Sequence, residues 1–418
     1  MTGRGQERDD PAASWPDRLA RRLARRTSGN FIPAIDGLRL PAMALVFWHH
    51  LVALYIERYQ PFGVHFKLPQ DWYKAAALSG YVNLASRAGF GVQLFFVISG
   101  FVLALPFLRA AIDGGKRPGL AAFYARRLWR LEPPYLIALT IALARLVLVE
   151  GKPLIVFLPH WAASAVYQHN LLWDTPSWVL GIAWSLEVEA QFYIAMPLLA
   201  WLLFPRDRRS RRLRVAALIV AGGLLSQLYF EADPGARLRM SVLNFLQYFG
   251  AGFLLADWHL SEWRRGESAR PGAWDLVGAA SALALTLVLA IAPDLSSWGL
   301  PQRWLGGSLQ LLLPWATLAF CAAALRGRAF RWAFTRRWVV IAGGMCYTFY
   351  LYHWMFLEGL LGPAYRLVGG RLGLEWEASA LYAVCFCATL LGTAVLFALF
   401  EKPFMGRRPR AAQLVRTT

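Results

Sequence analysis

The residues best suited to acid–base chemistry lie in the first long apolar stretch of the chain. This stretch runs from Phe31 to Tyr55, with Arg39 near its start and the adjacent pair His49 and His50 inside it. On a helix, Arg39 and His50 would share one face about 16 Å apart along the axis, whereas His49 would lie about 80° away. A titratable imidazole within an apolar segment is a candidate functional group, and a satisfied core histidine is the alternative interpretation.

Two carboxylates form a second candidate group. They lie in the segment Trp184-Ser-Leu-Glu-Val-Glu-Ala-Gln-Phe-Tyr193. Glu189 and Tyr193 are four residues apart and share a helix face, whereas Glu187 points about 200° away. Because a carboxylate in an apolar segment is costly unless it is paired or hydrated, we predict a functional role for Glu189. Glu187 is expected either to cap backbone groups or to face an aqueous mouth.

Arginines and a further histidine complete the set of candidates. Arg127 and Arg130 are three residues apart on one helix face, next to Arg126. Guanidinium groups match phosphate oxygens, so these arginines predict a nucleotide-phosphate site, with membrane anchoring as the alternative. His353 lies within the aromatic segment 347–354, either as a functional group or as a core histidine. For the pair Ser99-Gly100, close helix packing is favoured over chemistry at the hydroxyl.

Composition identifies the elements that position these groups. The chain has 418 residues, of which 57% are hydrophobic and 17% charged, and long apolar runs recur along it. The sequence therefore predicts an all-α polytopic membrane protein. Its net charge of +19 invites a nucleic-acid partner, but the cations lie in short loops between apolar runs, so none is expected. Histidine, cysteine and acidic residues show no metal-site spacing, and the four cysteines are expected to act as small apolar residues.

Ten membrane spans are predicted, joined by short loops. Loops with many Lys and Arg residues alternate strictly with loops that have few. The loops and tails on the side of both termini carry 32 of these residues, and the loops on the other side carry 10. The positive-inside rule then places both termini in the cytoplasm. The moderately apolar stretch 154–172 is interpreted as interfacial or re-entrant, because counting it as a span would break this alternation. The expected spans are 38–57, 88–108, 131–149, 181–204, 213–230, 240–258, 273–292, 305–325, 338–361 and 379–400.

The motifs together resemble the membrane acyltransferase-3 family, which includes O-acetylases of bacterial surface glycans. The similarity runs in family order from residue 31 to 404. It comprises the Arg39-to-His50 spacing, the glycine- and phenylalanine-rich segment 91–101, the Arg127-x-x-Arg130 pair, the segment 184–193, the segment 347–354 and the final Glu401-Lys-Pro403. Gln93 and Ala190 depart from the family pattern, which often has carboxylates at both positions, and no esterase-like domain is expected after the spans.

The resemblance implies transfer of an acyl group, most simply acetyl, from cytoplasmic acyl-CoA to a hydroxyl group. Under this interpretation, His50 acts as general base, and Glu189, Arg39 and His353 are the other catalytic residues. CoA phosphates would be held by Arg126, Arg127, Arg130 and Arg39. The acceptor would be held by Glu187, Tyr193, Trp184 and Tyr352.

Domains, location and partners follow from the same resemblance. We expect a basic cytoplasmic tail over residues 1–30, a transmembrane acyltransferase domain over 31–404 and a basic tail over 405–418, in a bacterial inner membrane. The tail over 1–30 is either an amphipathic helix or disordered. No permanently bound cofactor or metal is expected, and a homo-oligomer or a separate periplasmic partner both stay open. The acceptor is a glycan or glycolipid, or a small-molecule or macrolide-type sugar. A proton-coupled transporter is the alternative from another class.

Overall fold

The protein was examined as a computed structural model, which describes residues 14–25, 31–59, 80–231, 236–263, 270–297 and 300–405. Across these ranges the secondary structure is helical and contains no strand, which confirms the predicted all-α class. The α-helices are α1 (Trp15–Leu23), α2 (Pro33–Tyr59), α3 (Gly80–Arg87), α4 (Gly91–Asp113), α5 (Leu120–Ala144), α6 (Leu154–Ala165), α7 (His169–Trp173), α8 (Trp184–Leu203), α9 (Arg208–Leu225), α10 (Leu246–Trp258), α11 (Pro271–Ser297), α12 (Leu300–Gln310), α13 (Leu313–Arg326), α14 (Ala329–Phe334), α15 (Arg337–Gly344), α16 (Cys346–Val368) and α17 (Leu374–Leu396).

Eight helical segments of the described chain are long and apolar enough to cross a membrane, so the protein is a polytopic membrane protein. Two further expected spans do not meet both conditions. Helix α10 has only 13 residues, although a 3₁₀ turn before it and a π turn after it extend the helical path over 242–263. Helix α16 has 23 residues but carries polar and charged side chains. The total of ten spans and the cytoplasmic termini stay predictions.

Helix α6 begins the stretch 154–172, which the sequence analysis excluded from the spans. It has 12 residues and is followed by the five-residue helix α7. At 1.5 Å per residue, α6 is about 18 Å long, shorter than the ~30 Å hydrocarbon core of a bilayer. An interfacial or re-entrant position therefore agrees with the structure.

Two predicted spans differ from single continuous helices. The span expected over 338–361 is divided at Met345 into α15 and α16. The span expected over 305–325 is interrupted between α12 and α13, and Pro314 lies in the first turn of α13. Proline fits a first turn but cannot donate the hydrogen bond that a helix interior requires, which explains this second interruption.

Small residues allow the helices of the core to approach closely. A Cβ atom at Gly100 in α4 would lie 2.4 Å from the carbonyl oxygen of Phe249 in α10. A Cβ atom at Gly252 in α10 would lie 2.2 Å from the carbonyl oxygen of Val97. Both distances are too short for any side chain, so the two backbones pack directly against each other. The packing interpretation of Ser99-Gly100 is confirmed for the glycine.

The described part of the N-terminal tail is helical and packs on the bundle. In α1, Ala20 is buried in a small apolar cluster with Ile341 and Phe397. At the exposed side of the same helix, Asp17 pairs with Arg337 of α15. Over the described residues of this tail, an amphipathic helix is therefore the alternative that is observed, and it brings Arg25, which follows α1, to the N-terminal turn of α2.

Candidate active site

Five arginines line one cavity of about 320 Å³ in the helical bundle. Four of them, Arg39, Arg126, Arg127 and Arg130, are the predicted donor-binding residues, and the fifth is Arg25 from the segment after α1. The cavity is enclosed by α2, α4, α5, α8 and the start of α16. The structure therefore brings the predicted arginines together and adds one that the sequence analysis did not single out.

Asp36 connects the N-terminal segment to α2 within this cavity wall. Its side chain is buried, and Oδ1 accepts a hydrogen bond from Nη1 of Arg25 at 2.9 Å and a second, shorter one from Arg39. One carboxylate thus orients two guanidinium groups and neutralises only one of their charges. The remaining positive charge is available to an anionic ligand.

On α5, Arg127 is fixed by its own helix. Its Nη1 donates to the carbonyl oxygen of Phe123 at 2.9 Å, and the guanidinium lies 3.7 Å from the centre of the Phe123 ring. Arg130, one turn later, has a buried Nε with no hydrogen-bond partner among the described residues. A buried guanidinium nitrogen without a partner is costly, so a ligand that supplies an oxygen acceptor would bind favourably there.

Glu189 lies in the same cavity as the arginines. Its Oε1 accepts hydrogen bonds from Oγ of Ser99 at 2.6 Å and from the hydroxyl of Tyr193 at 2.5 Å. The sequence analysis assigned Tyr193 to the acceptor, but the structure places its ring 5.9 Å from the guanidinium of Arg127. Glu189 is therefore a half-buried, doubly hydrogen-bonded carboxylate at the inner surface of the arginine-lined cavity.

The two functional histidines predicted from the sequence are neighbours. The ring of His50 lies 5.3 Å from that of His353 and 5.3 Å from that of Trp354, centre to centre. His353 Nδ1 lies 2.7 Å from the carbonyl oxygen of Tyr350, so this nitrogen donates and carries the proton. Its Nε2 then carries a lone pair, and this atom is buried and has no hydrogen-bond partner among the described residues.

Neither histidine lines the arginine cavity itself, and Tyr350 connects the two regions. Tyr350 is part of the cavity wall, and its carbonyl oxygen holds His353. Its hydroxyl lies 3.0 Å from Oγ of Ser185, another wall residue. The pair of histidines therefore lies one helical turn beyond the cavity, along α16.

The four predicted acceptor residues do not share one cavity. Glu187 is fully buried, and its Oε2 accepts from the backbone N–H of Asn170 at 2.7 Å, so it caps the first turn of α7 instead of facing an aqueous mouth. Trp184 packs against Phe245, with ring centres 5.7 Å apart. Tyr352 is buried, and its hydroxyl has no hydrogen-bond partner among the described residues.

Arg25 and Ser99 are the candidate site residues that sequence reasoning missed or placed second. Arg25 is one of several arginines in a polar tail, and no spacing distinguishes it from its neighbours. Ser99 precedes the tightly packed Gly100, so the sequence around it indicates helix packing and gives no sign of its hydrogen bond to Glu189. In both cases the contact joins segments that are distant along the chain.

Comparisons with known proteins bear on the family of the chain. Residues 32–398 match a family model described as an acyltransferase domain. The chain is 25% identical to O-acetyltransferase OatA of Staphylococcus aureus (strain NCTC 8325 / PS 47) over 350 residues, covering 80% of this chain and 52% of OatA. It is 24% identical to acyltransferase MdmB of Streptomyces mycarofaciens over 405 residues, covering 89% of this chain and 94% of MdmB.

The chain spans about half the length of the OatA relatives that it matches. No solved structure matches it at a significant level. The family model covers most of the chain, so the acyltransferase interpretation prevails over a proton-coupled transporter. The protein is a multi-pass membrane protein and belongs to the acyltransferase-3 family.

Proposed function

We propose that this protein transfers an acyl group, most simply acetyl, from cytoplasmic acyl-CoA to a hydroxyl group of a glycan or glycolipid in a bacterial inner membrane. The observation that carries the proposal is the convergence of five arginines on one cavity of about 320 Å³. Acyl-CoA carries several phosphate groups on its nucleotide portion, and guanidinium groups bind phosphate oxygens in pairs of hydrogen bonds. The predicted topology puts this cavity on the cytoplasmic side.

The distance from the arginines to the histidines suits the shape of the donor. Arg39 and His50 lie on α2, and their spacing corresponds to about 16 Å along the helix axis. An extended pantetheine arm covers a distance of this order. With its phosphates on the arginines, the donor would carry its thioester toward His50 and His353.

His50 is the proposed general base. It removes the proton from the acceptor hydroxyl, whose oxygen attacks the thioester carbonyl carbon and forms the new ester. The carbon–sulfur bond breaks, and CoA leaves as a thiol after taking up the proton that His50 removed. The Nε2 lone pair of His353 would orient the hydroxyl, while Glu189 and Arg39 would position the donor. A route through an acyl-imidazole on His50 has the same products and is the second possibility.

Turnover by the purified protein tests this proposal. We expect the protein in lipid nanodiscs to release CoA from acetyl-CoA, and His50→Ala to abolish this release while the thermal unfolding midpoint stays close to that of wild type. His49→Ala is the matched control, because His49 is the adjacent imidazole and its Nδ1 lies 3.2 Å from the carbonyl oxygen of Ala85. Wild-type turnover in His50→Ala would exclude His50 as the base.

The acceptor requires a separate measurement. Mass spectrometry of surface glycans, glycolipids and extracted small molecules, from cells with and without the gene, would show which pool carries the acyl group. We expect a gene-dependent ester on a sugar hydroxyl. If the ester appears only on small molecules, the glycan acceptor is wrong and a small-molecule sugar takes its place. An unchanged acyl profile in every pool would contradict the proposed activity.

A further inference from the structure

A second cavity, of about 180 Å³, lies in another part of the bundle and contains different chemistry. Its walls come from residues 87–93, 223–231, 244–248 and 310–314, together with Leu289. None of the residues assigned to the donor, the base or the acceptor lines it. The polar part of the wall consists mainly of amide and hydroxyl side chains, namely Gln93, Ser226, Gln227, Asn244, Gln247 and Gln310.

The arginines of the first cavity and the second cavity lie toward opposite ends of the bundle. The first cavity takes Arg39 and Arg126 from the beginnings of α2 and α5, the first and third predicted spans, and extends through the bundle to Val92 and Ser185 near the beginnings of α4 and α8. The second cavity takes residues from the end of the fifth span, after α9, and from the beginnings of the second and sixth spans, at α4 and before α10. Consecutive spans run in opposite directions, so these residues lie at the other membrane face. In the predicted topology this is the outer face.

The polar groups of the second cavity suit a neutral ligand rich in hydroxyl groups. Arg87 and Glu231 contribute one charge of each sign, so the wall has no net charge. The side chain of Gln247 is buried, and its Oε1 has no hydrogen-bond partner among the described residues. Nε2 of Gln227 donates to Oε1 of Gln310 at 3.1 Å, which leaves further donor and acceptor positions on both amides. Amides both donate and accept, as sugar hydroxyls do.

Aromatic rings complete the wall. Phe90 and Tyr248 pack edge to face, with ring centres 5.9 Å apart, and Phe245 adds a third ring. Apolar faces beside amide groups match a sugar ring, which has C–H faces and a hydroxyl rim. At about 180 Å³, the cavity is many times larger than the ~10–15 Å³ that one water molecule requires, so it has room for a ligand larger than water.

The second cavity also lies close to the proposed reaction centre. Phe245 in its wall contacts Phe96 in the wall of the arginine cavity, with ring centres 5.0 Å apart. A Cβ atom at Gly89, next to Phe90, would lie 3.7 Å from the ring of His49. His49, whose ring centre lies 5.1 Å from that of His50, is therefore adjacent to the helical turn that leads into the second cavity, while Tyr350 connects His353 to the first.

From this arrangement we infer that the second cavity is the binding site for one neutral sugar unit of the acyl acceptor. The inference rests on the proposed function, which it deepens by separating the acceptor site from the donor site. It also moves acceptor recognition away from Glu187 and Tyr352, whose side chains do not line this cavity.

Saturation-transfer difference NMR tests the inference. The probes are glucose, rhamnose, N-acetylglucosamine, cellobiose and chitotetraose, each added to the full-length protein in nanodiscs. We expect at least one sugar to receive saturation from the protein, and Gln247→Leu and Gln310→Leu each to weaken its binding roughly tenfold, the effect of losing one well-formed hydrogen bond in a buried site. Gln168→Leu is the matched control, because Gln168 carries the same amide but lies outside both cavities.

CoA release from acetyl-CoA, measured in the same samples without sugar, separates this inference from the proposed function. Sugar binding that depends on Gln247 and Gln310, in variants whose thermal unfolding midpoints stay close to that of wild type, supports the inference. Donor turnover without any sugar signal, or a sugar signal that both variants retain, overturns the inference and leaves the proposed function in place. If both variants lose the sugar signal but the wild-type protein does not release CoA from acetyl-CoA, the proposed function is overturned and the sugar site is retained.

Discussion

Replacing Arg25 by glutamine tests whether the N-terminal segment is part of the donor site. The Arg25 side chain lies in the cavity wall with only 12% of its surface exposed, and it shares Asp36 with Arg39. In Arg25→Gln, Asp36 keeps its pair with Arg39, so no carboxylate is left buried without a partner. The substitution therefore removes one positive charge from the cavity and leaves the fold supported.

The size of the effect follows from the contact that Arg25 can make. A hydrogen bond between a charged donor and a phosphate oxygen contributes about 1.5–3 kcal/mol. This corresponds to an increase of at least tenfold in KM for acetyl-CoA. Because the contact is distant from the reacting carbon, it should stabilise the bound donor and the transition state equally, and kcat should stay near the wild-type value. CoA release measured over a range of acetyl-CoA concentrations gives both constants.

Arg337→Gln is the matched control for this experiment. Arg337 holds the same N-terminal helix through Asp17, but it is exposed and lies outside the cavity. An exposed ion pair contributes at most about 1 kcal/mol, so KM should change little. Equal increases of KM in both variants would show that the N-terminal segment acts only through docking. An unchanged KM in Arg25→Gln would refute a phosphate contact at this position.

Three further predictions concern other parts of the molecule. Glu189→Gln keeps a side chain of the same size but removes the charge among the arginines, and we expect CoA release to fall about a hundredfold or more with the unfolding midpoint nearly unchanged; equal rates would exclude a role for the charge. Gly343→Ala should prevent folding, as seen in loss of the monodisperse peak in size-exclusion chromatography, because the new Cβ would lie 1.8 Å from the carbonyl oxygen of Asp36. His160 Nδ1 lies 2.8 Å from His169 Nε2, and burial lowers the pKa of both imidazoles. The two histidines therefore bind protons more readily when the stretch 154–178 is unfolded. The stability of the stretch 154–178 should be complete above about pH 6.5 and decrease below it. We expect lower protection factors over these residues at pH 5 than at pH 7.5, taken from hydrogen-exchange rates relative to the intrinsic rate at each pH, and equal protection factors would contradict this.

Apolar runs and their charged loops were sufficient to predict the helical membrane class. These signals are local, since a span and its flanking cations lie within about 25 residues of each other. The division of one expected span at Met345 was not predicted, because no proline marks it within residues 338–361. Its cause is tertiary, since Gly343 must pack directly on the backbone of α2 at Asp36.

The candidate site could be predicted only in part, for a related reason. Arg127 and Arg130 are recognisable because they lie on one helix and three residues apart. The position of Tyr193 beside Arg127 was not, since it depends on how α5 and α8 pack. The polar residues of the second cavity were missed because each is a single amide or hydroxyl within an apolar helix, and their common environment exists only in three dimensions.

The contact between α1 and α15 also determines when the donor cavity can form during biosynthesis. Asp17 and Arg337 are 320 residues apart in the sequence. The wall that contains Arg25 also needs Cys346 and Tyr350. Ribosomes make the chain from its N-terminus, and contacts between distant segments form only after both have been synthesised. The donor cavity is therefore completed late, after more than three quarters of the chain has been made, and a nascent chain that lacks α16 holds its N-terminal arginines without the site to which they belong.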